Sequence, residues 1–166
     1  FRVICKLVDG RVNTADGLFF LDSILYHAWF LKYAPKVLTG EEHEADKYLR
    51  FGLPLRQLPG NRYAASVGFY KDYGVQIEYW NKRPAWDRRM KYLDGGGKIS
   101  TGSGTMRAYR MPQTIHTIGD VEFYGYGTIE KVRDLLSYIP AIGKKPAAGW
   151  GAVREWIVEP WPEDWS

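Results

Sequence analysis

The stretch IGKKPAAGWGAV, residues 142–153, places three glycines and two lysines within twelve residues. It follows TIEKVRDLLSYIP (128–140), where Ile129, Val132, Leu135, Leu136 and Ile139 recur at helical spacing, with Thr128 as N-cap and Pro140 as terminator. It leads into VREWIVEPW (153–161), which reads as a strand. A phosphate-binding Walker loop needs the reverse order, strand then helix, and a Ser or Thr after its lysine; a dinucleotide fingerprint needs GxGxxG opening a helix. Neither pattern is met, and GSGT at 102–105 fails the same test. Two readings of the residues remain. One is a helix-to-strand turn in which glycine supplies a positive φ, which accounts for Gly143. The other is contact with a polyanion, in which Gly149 and Gly151 around Trp150 admit a backbone and Lys144 and Lys145 supply charge.

Outward from this stretch the chain alternates strand and helix signals. FRVICKLV (1–8) sets Val3, Cys5 and Leu7 on one face of a strand. DGRVNTADG (9–17) is rich in turn formers and predicts a loop. LDSILYHAWFLKYAP (21–35) carries Leu21, Ile24, Leu25, Ala28 and Trp29 at amphipathic-helix spacing, closed by Pro35. RYAASVGFY (62–70) and GVQIEYW (74–80) predict strands joined by a hairpin turn at KDYG, and DVEFYGYG (120–127) predicts another strand. The order is strand, helix, strands with an insertion, strand, helix, strand. That is the outline of an α+β, ferredoxin-like (RRM-like) sandwich.

At 166 residues the chain fits one domain with one large insertion, and a chain near that size buries ~70% of its unfolded surface without staples. Aromatics at 16% exclude general disorder. A net charge of +4 and a pI near 9.1 point mildly to a polyanionic partner, and distribution sharpens this. Residues 71–110 hold nine bases against four acids, whereas 155–166 hold four acids and no base. Within the former, Lys82, Arg83, Arg88, Arg89 and Lys91 mix with Trp80, Trp86 and Tyr92, and Lys98, Arg107 and Arg110 continue through a glycine-rich turn. Bases interleaved with aromatics suit the backbone and base faces of a single strand, although a solvated basic surface has the same composition. The lone Cys5 and the want of a long apolar run or signal-peptide pattern predict a soluble, cytoplasmic protein, with no membrane association.

The spacing apolar–Gly–five residues–Gly–apolar–Gly after the second helix resembles the C-terminal glycine-rich loop of the RAMP superfamily, CRISPR proteins that bind CRISPR RNA. GLFFLDSILYHAW (17–29), NKRPAWD (81–87), GKISTGSGTMRAYRMP (97–112), VEFYGYG (121–127) and EDWS (163–166) stand in the order of one member. They resemble the subunit of type IV CRISPR effector complexes that caps the 5′ handle of the guide RNA. Pro146, Ala147 and Ala148 stand where that subunit carries another base and a polar residue. The resemblance implies a ferredoxin-like fold, a thumb-like insertion over 71–119, and a non-catalytic role. Its RNA-binding residues would be Gly143, Lys144, Lys145, Gly149, Trp150 and Gly151, with the bases of the insertion named above. Partners would be the guide RNA, the repeated backbone subunit and the large subunit, with target DNA beside the protospacer as a further contact.

Two alternatives remain open. A guide-processing endoribonuclease of the same superfamily would use a histidine as general acid or base. Of the three, His27 flanks the apolar stripe of the first helix, His43 sits in the acidic run EEHEAD, and His116 has no evident partner. A structural module that binds only proteins would use the aromatics for contact. One cysteine and three scattered histidines offer no metal-ligand spacing, and no cofactor is expected.

Overall fold

Alternation along Arg2–Leu7 (β1) turns Val3, Cys5 and Leu7 inward, and this strand becomes the centre of a three-stranded sheet. The computed structural model describes residues 1–14, 16–41, 52–60, 62–82, 109–144 and 146–162; for 82 and 109 only the backbone is described. Val121–Tyr124 (β7) and Val153–Glu159 (β8) both run antiparallel to β1, with Val3 opposite Phe123 on one side and Val158 on the other, which gives the order β7–β1–β8. Leu21–Tyr33 (α1) and Ile129–Leu136 (α3) pack on each other, and α3 packs on β8. Leu21, Leu25 and Ala28 from α1 and Val132, Leu135 and Leu136 from α3 join the sheet's inward residues in one core. Burying each such leucine, valine or phenylalanine stabilises the fold by ~1.5–3 kcal/mol. Burial also pushes the Cys5 thiol up to about 12, which keeps it inert.

The outward sheet face is closed by charge pairing. The Arg2 guanidinium donates to Glu122 at 2.6 Å and to Glu159 at 3.3 Å, and Lys6 pairs with Glu155 at 3.4 Å. The Trp161 ring lies 5.3 Å from Arg2 and 5.3 Å from Tyr124.

Several elements depart from expectation. The 9–17 loop holds a strand, Arg11–Asn13 (β2), whose three residues are too few for a period to register. Pro35 does not only close α1: it is the first residue of a short helix, Pro35–Leu38 (α2), where its missing N–H costs no hydrogen bond. KDYG makes no hairpin, because Asp72 already begins a strand that runs unbroken from Asp72 to Lys82 (β5). Residues 62–70 form only Arg62–Tyr63 (β4), paired with Gln57–Leu58 (β3), and then isolated bridges from Ala65 to Gly125 just past β7, from Val67 to Phe20 and from Phe69 to Glu122 in β7. The ladder is interrupted because the Tyr124 N–H donates to Ser66 Oγ, at 2.8 Å, in place of a backbone carbonyl.

Tyr109–Ile118 (β6) is the middle strand of a second sheet, of order β2–β6–β5. The chain divides into two compact units, residues 1–75 with 116–166, and residues 76–115, the latter lying within the expected 71–119 insertion. The second unit exposes Ile77 and Tyr79, the apolar side of the β5 alternation, and holds Arg110 Cζ 3.7 Å from the Tyr79 ring centroid. No helix among the described residues is long and apolar enough to cross a membrane.

The hydrogen bond from Arg2 holds the Glu122 carboxyl below its usual 4.5. A depressed carboxylate contributes stability that is complete above its unfolded value and is lost as pH falls towards the folded one. Urea midpoints of the wild type should therefore drop on acidification below pH ~4.5, and Glu122→Gln should drop less; equal slopes would remove this pair from the account.

Candidate nucleic-acid interface

The glycine-rich stretch is a braced loop. Its neck is zipped by Ile142 N–H donating to Gly151 O at 2.9 Å and Val153 N–H donating to Pro140 O at 2.8 Å. Its body lies across β2, with Lys144 N–H donating to Asn13 O at 2.7 Å and Gly151 N–H donating to Arg11 O at 2.6 Å. The crossing and the neck explain two of the three glycines without any ligand. A Cβ on Gly143 (φ +81°) would stand 2.7 Å from Asn13 O, and one on Gly151 (φ +72°) would overlap the carbonyl oxygen of Ile142. Gly149 is different. Its φ of +87° is equally left-handed, but a Cβ there would meet nothing within 4 Å.

Gly149 follows a 3-10 turn, Pro146–Ala148, and its N–H donates back to Pro146 O at 2.8 Å. The residues that depart from the RAMP pattern thus make the bend that precedes it. Trp150 is only 5% exposed, so its ring anchors the loop from within and offers no face to a base. Lys144 is exposed. Opposite it, the Leu18 N–H chiefly, and Lys144 among smaller causes, hold the Asp16 carboxyl below its usual range. Lys145 lies outside the described residues.

The loop therefore brings Gly143, Lys144, Gly149, Trp150 and Gly151 together. Of the insertion's bases, Arg110 is seen, in the second unit against Tyr79. Lys82 ends β5 with its side chain undescribed, and Arg83, Arg88, Arg89, Lys91, Lys98 and Arg107 lie outside the described residues, as do Trp86 and Tyr92.

Sequence reasoning missed the partner of His116. Its Nδ1 lies 3.0 Å from Asp72 Oδ2, a pairing across 44 residues that no local pattern signals. The His116 hydrogen bond is the first cause that holds the Asp72 carboxyl below its usual range, with a further one from the Gly74 N–H. His27 is exposed on α1, and His43 lies outside the described residues. Among the described residues, no group of His, Cys, Asp and Glu could hold a metal ion.

These features define a mixed α/β protein with a braced glycine loop, in which Gly149 alone of the three glycines has room for a Cβ and, among the described residues, Lys144 is exposed. Residues 62–165, more than half of the chain, match the family CRISPR type IV associated protein Csf3, and the chain belongs to that family. The match takes in β4 to β8, α3 and the whole loop, and leaves β1 to β3, α1 and α2 outside it. None of the curated proteins compared with the chain matches it.

The contrast between glycines is measurable. Gly149→Ala should cost only the strain of a left-handed alanine, about 1 kcal/mol, whereas Gly151→Ala must also displace the Ile142 carbonyl. Urea denaturation should show the second variant clearly less stable than the first; equal losses would contradict the close approach of Gly151 to Ile142 in the neck.

Proposed function

We propose that this chain is the RNA-binding subunit of a type IV CRISPR ribonucleoprotein. In this reading it caps the 5′ handle of the guide and nucleates assembly of the repeated backbone and large subunits, without catalysing a reaction. Membership of the type IV CRISPR family supports the system, and the order β8–β1–β7, extended by the bridges of residues 62–70, supports a ferredoxin-like RAMP domain. The observation that carries the RNA contact is Gly149, left-handed and open beside exposed Lys144 on a loop otherwise fixed by backbone bonds. RNA can approach such a backbone closely, and a lysine there neutralises a phosphate. The outer sheet face, where RRM-type proteins stack bases, is taken up here by Arg2, Glu122, Glu159 and Trp161, which favours the loop over the sheet. The basic insertion supplies the second part of the grip, and target DNA beside the protospacer is a further contact in the assembled particle.

The His116–Asp72 pair is the observation that favours the endoribonuclease alternative, since a carboxylate that orients an imidazole is half of an acid–base site. It stands at the root of β5 and β6, where a fixed pair also serves to hold the two strands.

Reversal of Lys144 and Lys145 to glutamate should weaken RNA binding and flatten its salt dependence. On a single strand, every phosphate that the protein ceases to neutralise takes ~0.7 off the log–log slope. Affinity and slope that match the wild type would sink the loop assignment. His116→Ala should leave guide maturation intact, and loss of cleavage products would favour the nuclease.

A further inference from the structure

A second basic and aromatic site lies at the other end of the sheet. Leu7 faces Val153 where the glycine loop ends, whereas Arg2 faces Tyr124, from which the chain passes into Tyr126 and α3. The five residue steps from Arg2 to Leu7 place the two regions on the order of 17 Å apart along β1. At that far end is a cavity of about 560 Å³, lined by Pro54, Leu55, Arg56, Tyr126, Thr128 and Lys131 among others.

Its walls are fixed by backbone bonds. Arg56 N–H donates to Tyr126 O at 2.7 Å, Tyr126 N–H donates to Ala64 O at 2.9 Å, and Thr128 N–H donates to Pro54 O at 3.0 Å. The chains cross so closely that a Cβ on Gly127 would overlap the Pro54 carbonyl oxygen. Arg56 and Tyr126 are thereby held side by side, with the guanidinium 5.4 Å from the ring centroid, while Tyr126 remains 64% exposed.

Among the described residues, the two cations here are not neutralised by a neighbouring acid, unlike four others of this unit. Arg2, Lys6, Arg11 and Lys32 all face carboxylates. Arg56 and Lys131 have no ion pair among the described residues, and no carboxylate is among the described residues that line the cavity. An adjoining cavity of about 590 Å³ shares Leu53, Pro54 and Lys131 and adds Trp29 and Tyr33. Its one carboxylate among the described lining residues, Asp134, is already held by Lys32 at 2.5 Å.

We propose that this end of the domain is a second single-stranded nucleic-acid contact, with a phosphate held between Arg56 and Lys131 and a base against the open face of Tyr126. Unpaired cations beside an exposed aromatic ring match the alternation of charge and π-face along a single strand. The inference rests on the nucleic-acid reading of this chain, not on the glycine loop.

The test uses the full chain and a single-stranded oligouridine, followed by fluorescence anisotropy over a series of salt concentrations. Arg56→Ala with Lys131→Ala should lower affinity roughly tenfold at low salt and reduce the slope by about 0.7, the value for one phosphate on a single strand. Photo-cross-linking of a 5-iodouridine strand should map to Tyr126 and vanish in Tyr126→Ala. Should the alanine variant melt early, Arg56→Gln with Lys131→Gln repeats the measurement with longer side chains. Wild-type affinity and slope in these variants, alongside a loss on reversing Lys144, would overturn the second contact and leave the loop standing. Retention in both sets would overturn both. Poly-glutamate that binds the wild type as tightly as RNA, and the double variant weakly, would make the cavity an acidic-protein site and overturn the proposal.

Discussion

Backbone lies on backbone where residues 142–152 cross β2. Gly151 N–H and Lys144 N–H reach the carbonyls of Arg11 and Asn13; the crossing requires that Gly143 carry no Cβ, and the neck that holds it requires the same of Gly151. Two hydrogen bonds, each worth ~1 kcal/mol net, and two left-handed residues fix the path of the loop. With the path fixed, the neck is drawn beside the start of β8, whose register against β1 sets Val158 on Val3 and Trp156 on Cys5. The Trp156 indole N–H then donates to Ile139 O at 2.9 Å and ties the strand to the end of the preceding helix. The site and the core thus depend on one contact.

That constraint divides the labour among the glycines. Gly143 and Gly151 serve the fold, and Trp150 is buried with them. Gly149 is left over, held rigid by its neighbours yet open on its own account. A loop that is already ordered loses little freedom when a ligand arrives, so one open glycine and one lysine can count for more than a longer flexible basic tail. On the proposed reading, the sheet's outer face, occupied by Arg2 and its two glutamates, leaves a polyanion to the rims of the domain.

The elements with a strong period were legible in the sequence. The apolar stripes of α1 and α3 and the alternation in β1 lead directly to the core residues found there. β2 was not legible, because three residues within a turn-rich stretch carry no period, and its role depends on carbonyls that every residue has. The glycines signal close approach, as their composition suggests, but for two of them the visitor is the chain itself rather than a ligand. The insertion's bases carry a clear compositional signal, while only Arg110 among those beyond β5 falls within the described residues. Arg56, Tyr126 and Lys131 were invisible because seventy or more residues separate the arginine from its neighbours in the fold, as 44 separate Asp72 from His116.

The central claim is that this chain holds the 5′ end of a guide RNA. Purification of the protein with the other proteins of its system, followed by sequencing of the RNA that comes with it, tests that claim most directly. The account predicts RNA with a uniform 5′ end derived from the CRISPR repeat, reduced in yield when Lys144 and Lys145 are reversed. Complexes that assemble fully without RNA, or RNA with random 5′ ends, would contradict it.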